Sequence, residues 1–239
     1  MDEYLKHRME CFDENYKTVL DKINEAAVKS GRNVDDITLL AATKTVEVEV
    51  INHAYEQGLR YMGENRVQEF LSKEEMLNPG FHRQLIGTLQ RNKARQIVGK
   101  VELIQSVDSV KLAEEIARQS VMRNIVSDVL VEVNIAGELS KSGIEPERVP
   151  ELLAEISEID GIRVKGLMTL GPVGENAQKK AEIFDKMQKL FIDNSTKKVD
   201  NISMDILSMG MSADYDIAVM HGATMVRVGS SLFGARVYN

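Results

Sequence analysis

Between Tyr4 and Ala27 the apolar side chains Tyr4, Met9, Phe12, Tyr16, Val19, Leu20, Ile23 and Ala27 recur at helical spacing. This predicts one amphipathic helix over the first thirty residues, stopped by "SGR" at 30–32. After it the period changes. Short apolar runs at 37–44, 60–65, 83–88, 101–108, 128–135, 163–171, 202–210 and 225–231 read as eight strands. Helical stretches such as "VEVINHAYEQG", "VQEFLSKEEML", "VKLAEEIARQSVMRN", "VPELLAEISEI" and "KKAEIFDKMQKLFI" lie between them. Strict strand–helix alternation implies parallel pairing, because each helix then serves as a crossover. Eight such units predict an α/β fold of the (β/α)₈ TIM-barrel type, with a doubly wound open sheet as the other arrangement. No linker rich in Gly, Pro or Ser divides the chain, and no internal repeat is visible. The expectation is one domain over 1–239, with the helix of residues 1–30 packed on the barrel.

Length supports this, since 239 residues lie close to the roughly 250 of a typical single barrel. A formal net charge of −7 and the absence of tryptophan argue against a general nucleic-acid binder. The single cysteine, Cys11, cannot form an internal disulfide, which fits a reducing cytoplasm. The charged N-terminus "MDEYLKHRME" has no apolar signal core, and no run reaches membrane-spanning length.

In either parallel architecture, ligands bind at the carboxyl ends of the strands. There the first strand candidate ends in "AATK". By strand alternation Leu40, Ala42 and Lys44 share one face, so small Ala42 leaves room and Lys44 projects into the mouth of the cavity. A desolvated lysine loses its proton well below its free pKa of about 10.4, and the neutral amine can form a Schiff base with a carbonyl. A solvated strand cap is the other reading of the same residue. The last two strands add an anion site. Ser212 in "LSMGMSADYDIAV" falls at a strand-to-helix junction, and "VRVGSS" ends the final strand with Gly229 and Ser230. Loops after strands 7 and 8 of barrels often cradle phosphate. An amine on strand 1 and a phosphate cup after strands 7 and 8 suit a ligand that is both aldehyde and phosphate, either pyridoxal phosphate or a phosphosugar. Arg227 shares its strand face with Met225 and Gly229. Beside a pyridine nitrogen an arginine would disfavour ring protonation and weaken carbanion chemistry.

"AATKT", "GENRVQEF", "HRQLIGTLQRNKAR", "QSVDS", "VEVNIAGELSKSGI", "GLMTL", "LSMGMSADYDIAV" and "VRVGSSLFGAR", spread over about residues 37–236, resemble the pyridoxal phosphate homeostasis family. That resemblance implies a barrel similar to the N-terminal domain of alanine racemase, with pyridoxal 5′-phosphate held covalently by Lys44. It further implies Arg227 near the pyridine nitrogen and Ser212, Gly229 and Ser230 around the phosphate. Asn65 and the stretch Met209, Gly210 and Met211 would lie beside the ring. The implied role is binding and supply of the cofactor inside the cell, by a monomer, with amino acids or pyridoxal phosphate-dependent apoenzymes as partners and without strong catalysis. Racemases of this barrel type carry a further β-rich domain, whereas this chain stops at Asn239. A barrel-only racemase, or another lysine Schiff-base enzyme, is the alternative. Among the tyrosines, Tyr61 and Tyr215 remain candidates for an opposite-face base.

His7, His53, His82 and His221 show no metal-ligand spacing, so no metal is expected. The basic stretch with Arg91, Lys93, Arg95 and Lys100 reads as a solvated helix or a partner surface.

Overall fold

The computed structural model describes residues 2–138, 142–172, 174–195 and 200–234. Eight parallel strands close in sequence order into one barrel. They are β1 (Thr38–Ala42), β2 (Tyr61–Glu64), β3 (His82–Leu85), β4 (Leu103–Val107), β5 (Ser127–Glu132), β6 (Ile162–Met168), β7 (Ile202–Ser208) and β8 (Met225–Val228). The ring is sealed by β1 against β8, with Leu40 opposite Arg227. Every predicted strand is present, and closure settles the choice between barrel and open sheet.

The helices are α1 (Glu3–Lys29), α2 (Val48–Glu56), α3 (Val67–Lys73), α4 (Ala94–Ile97), α5 (Val110–Val121), α6 (Val149–Ser157), α7 (Ala177–Ser195), α8 (Tyr215–Met220) and α9 (Ser230–Phe233). The main core is the layer between the strands and these helices. Two smaller apolar clusters fill the barrel itself, one around Leu40, Ile86 and Met225, the other around Leu103, Leu130 and Met168. Gly63 belongs to this interior: a Cβ there would lie 2.8 Å from both Ile86 and Leu40 side chains.

Helix α1 begins where the Asp2 side chain accepts the Tyr4 N–H at 3.1 Å, a cap for a donor the first turn cannot satisfy. Phe12, Val19, Ile23 and Ala27 are buried as the periodicity predicts, and Phe12 stacks on Phe233 of α9. Tyr4 and Leu20 depart from the pattern at 44% and 40% exposure. Tyr4 instead leans over the carboxyl end of the barrel, where it helps wall a cavity. Asn15 Nδ2 donates to Leu232 O, and Arg32 Nη1 donates to Val219 O and Ala223 O. The helix is thereby tied to the same two short helices, α8 and α9, that follow the last strands.

Among the described residues no helix is long and apolar enough to cross a membrane. The basic stretch folds as a 3₁₀ turn over Arg91–Lys93 running into α4, with Lys100 paired to Glu74. Three of the histidines sit beside carboxylates: His53 near Asp13, His82 near Glu102 and His221 near Asp185.

Candidate functional site at the carboxyl end of the barrel

A cavity of about 530 Å³ opens at the carboxyl ends of β1 and β8. Its wall includes Lys44, Met211, Ser212, Arg227, Gly229 and Ser230, which are far apart in sequence and were each expected there. Asn65, Met209 and Gly210 are not part of the cavity wall. Met209 is buried in the outer core. Gly210 has φ +91, and a Cβ there would come within 2.5 Å of the Ala218 Cβ. Its glycine is required by the left-handed turn and by close approach to α8. Asn65 Oδ1 is buried without a hydrogen-bond partner among the described residues.

Strand β1 ends at Ala42, so Lys44 sits in the turn just beyond it, half-buried. The segment that carries it is tightly held. Thr43 Oγ1 donates to Glu64 Oε1 at 2.8 Å, and the Thr45 N–H donates to Glu69 Oε1 at 2.5 Å. Lys73 Nζ reaches Thr43 O, Glu64 Oε1 and Glu69 Oε1 at 3.0, 2.9 and 2.8 Å. Thr45 has φ +61. A β-branched residue in that region is strained by about 1–3 kcal/mol and stays there only if its surroundings enforce it. Sequence reasoning missed Glu64, Glu69 and Lys73. The available signal was the i,i+4 Glu69–Lys73 pair on a helix that otherwise reads as amphipathic filler.

Ser212 builds the opposite wall. Its Oγ accepts from the N–H groups of Gly229 and Ser231 at 3.0 and 3.2 Å, and Ser231 Oγ donates back to Ser212 O at 3.1 Å. A hydroxyl has two acceptor sites and one donor. With both acceptor sites used, the Ser212 proton is left to point away from these amides, as a donor. The loop carrying it is braced from behind, because Asp214 Oδ1 accepts the Met211 N–H at 2.7 Å and Lys180 lies 3.5 Å from Asp214 Oδ2. Gly229 itself is not in a left-handed conformation; a Cβ there would touch Ala42 at 3.4 Å. Only a larger side chain would have to enter the space that Gly229 lines.

Arg227 is 3% exposed and anchored through both terminal guanidinium nitrogens. Nη1 donates to Ser208 Oγ at 2.6 Å and Nη2 to Thr169 O at 2.7 Å. Ser208 Oγ donates onward to Gln105 Oε1, whose Nε2 donates to Gln84 Oε1. This polar chain crosses the barrel interior. Burial pulls the guanidinium pKa down to about 10, against the attraction of Glu132 and Asp214. It remains a cation at neutral pH.

Neither Tyr61 nor Tyr215 lines the cavity. Tyr61 stacks on His82, which opens β3 at the amino end of the barrel, and Tyr215 is buried in the outer core. Tyr238 lies outside the described residues. Tyr4 does line the cavity, with its hydroxyl donating to Glu47 Oε1 at 2.8 Å. Arg8, the next turn of α1, donates to Phe233 O at 2.5 Å and also faces Glu47.

A sequence profile described as "Alanine racemase, N-terminal domain" matches residues 17–237. A protein of Aquifex aeolicus named "Pyridoxal phosphate homeostasis protein" is 43% identical over 226 residues, covering 94% of this chain and 98% of that one. The chain belongs to the pyridoxal phosphate homeostasis family. Solved structures agree with that membership. A crystal structure of an unknown protein from Bifidobacterium adolescentis superposes with TM-score 0.87 at 36% identity, covering 98% of this chain and 97% of that one. PipY of Synechococcus elongatus, solved with pyridoxal phosphate bound, superposes with TM-score 0.78 at 32% identity, covering 89% of this chain and all of PipY (100%).

Within this family member one carboxylate stands apart from the cavity wall. Glu132, at the end of β5, is 2% exposed, with Ser142 Oγ donating to Oε1 at 2.7 Å and Oε2 without a partner among the described residues. Burial pushes its pKa up, Ser142 and Arg227 oppose the shift, and Asp108 adds to it. The folded state therefore holds the Glu132 proton to higher pH than the unfolded state does. Stability tied to this group is complete below the unfolded carboxylate range and is lost as pH rises through the folded pKa. Glu132→Gln is expected to raise the neutral-pH melting temperature by about 2–4 °C, on the order of 1 kcal/mol for a chain of this size. The gain should vanish below the carboxylate range. Calorimetry of both proteins at acidic and neutral pH checks it; equal melting at neutral pH would refute the assignment.

Proposed function

We propose that this protein binds pyridoxal 5′-phosphate in the cavity at the carboxyl end of the barrel and serves as a cytoplasmic carrier and buffer of that cofactor. The observation that carries the reading is the convergence of Lys44, Arg227, Ser212, Gly229 and Ser230 on one cavity, whose about 530 Å³ suits a small phosphorylated ring. When bound, the cofactor supplies an aldehyde that condenses with amines and a ring that can accept electron density. Lys44 would hold the cofactor covalently through its neutral amine, as a Schiff base formed with loss of water. Ser212 would donate its hydroxyl to the phosphate, with Ser230 beside it and Gly229 leaving the approach open. Arg227, held by Ser208 and Thr169 O, would stand at the ring nitrogen.

The family name carried by the relatives and the bound pyridoxal phosphate of PipY support this reading. The single free thiol of Cys11 fits a reducing compartment. Recipients would be pyridoxal phosphate-dependent apoenzymes, supplied by a monomer.

Titration with the cofactor, followed by its visible spectrum and by calorimetry, tests the phosphate cup directly. Ser212→Ala and Ser230→Ala are each expected to weaken binding by about 1–3 kcal/mol, the cost of one hydrogen bond to a charged group. Inorganic phosphate should compete with the cofactor in the wild type and lose that ability in the double variant. Unchanged affinity in the double variant would remove this cup.

A further inference from the structure

We propose that Lys73, acting through Glu64 and Glu69, is a positioning residue for Lys44: it fixes the backbone on both sides of that lysine so that the amine meets an aldehyde in the cavity. The inference rests on the reading of Lys44 as the Schiff-base lysine and adds the device that aims it.

One ammonium serves three segments. Lys73 Nζ, on the last turn of α3, donates to Thr43 O just past β1, to Glu64 Oε1 at the end of β2, and to Glu69 Oε1 one turn back on its own helix. Glu69 Oε1 also accepts the Thr45 N–H, and Glu64 Oε1 also accepts the Thr43 hydroxyl. Residues 43 and 45, the two neighbours of Lys44, are therefore both tied to this one cluster. Thr43 N additionally donates to Gly63 O at 3.0 Å, and Thr43 O accepts from the Val46 N–H at 3.1 Å. Lys44, between them, lines the cavity.

A purely structural role accounts poorly for this chemistry. Lys73 is 9% exposed and Glu64 is fully buried. A buried ion pair rarely stabilises a fold more than apolar side chains of the same volume, because desolvation offsets the attraction. Burial raises the Glu64 pKa even with Lys73 and Thr43 bonded to it, and Glu64 Oε2 has no partner among the described residues. What the cluster does supply is directional: a left-handed Thr45 that an apolar contact could not enforce. That turn brings the chain out of β1 and around to α2, with Lys44 at its inner corner.

The test compares two ligands that share the phosphate and the ring. Pyridoxal 5′-phosphate can react with Lys44; pyridoxine 5′-phosphate, an alcohol, cannot. In the full-length Lys73→Met protein, binding of the alcohol should stay within about threefold of wild type. The rate at which the visible Schiff-base band appears, and the affinity advantage of aldehyde over alcohol, should fall about tenfold or more, the scale on which small displacements from attack geometry act. Glu69→Ala frees the Thr45 N–H with a helix-favouring residue and should lower the same ratio; it decides the matter if Lys73→Met does not fold. An unchanged aldehyde-to-alcohol ratio in the variants, whether both ligands weaken together or neither does, overturns the positioning role. A wild-type protein without any Lys44-dependent band overturns the cofactor reading itself, and the positioning role with it.

Discussion

Borohydride added to the protein in the presence of pyridoxal 5′-phosphate is expected to leave one covalent cofactor mass on the peptide that carries Lys44. Lys44→Ala is expected to abolish that mass and the visible band completely while keeping phosphate-dependent binding. Lys44 stands half-buried at the inner corner of the turn after β1, facing the same cavity as Ser212, Gly229 and Ser230. The neutral amine is the form that attacks a carbonyl. Among the described residues no other lysine lines that cavity. Lys165 pairs with Asp205 in a separate cavity at the amino end of the barrel, and Lys93 lies on the 3₁₀ turn before α4. Peptide mapping by mass spectrometry reads the result. A label on Lys93 or Lys165 would mean that the central assignment is wrong.

Amino acids offered to the loaded protein are expected to be racemised or decarboxylated at rates at least two orders of magnitude below the about 10 s⁻¹ of a median enzyme. The reason is the charge that the proposed binding mode puts at the ring nitrogen. A carbanion next to the cofactor is stabilised when a protonated ring accepts its electrons, and a cationic neighbour opposes that protonation. Arg227 is such a cation: its pKa of about 10 keeps it charged throughout the neutral range, and Ser208 and Thr169 O hold it in place. Raising the pH within that range should therefore not release activity through Arg227. Enantiomer content of alanine and serine, followed by chiral chromatography, reads the outcome. Rapid turnover that depends on Lys44 would replace the carrier reading with the enzymatic alternative, and Tyr4, the tyrosine found in the cavity wall, would then be the first candidate base to vary.

The barrel was legible in the sequence because alternation is a local property. A period near 2 in the strands and near 3.6 in the helices is imposed by which side of each element is buried, and most buried side chains are apolar. All eight strand runs and the long first helix follow from it, and the carboxyl-end rule then gathers Lys44, Ser212, Arg227, Gly229 and Ser230 toward one mouth. Ring closure did not follow from local pattern, since Leu40 meets Arg227 only when the first and last strands pair across the whole chain. Nor did the partners of the site residues. Glu64, Glu69 and Lys73 look like ordinary charged positions until folding buries them around Thr43 and Thr45, and Tyr4 looks like a core position until α1 is docked over the mouth. The "MGM" stretch shows the same limit from the other side: Met211 faces the cavity, while Met209 turns into the outer core and Gly210 into α8. Periodicity reports whether a side chain is buried; which side chains it is buried against depends on contacts between segments distant in the chain, and only the tertiary structure decides those.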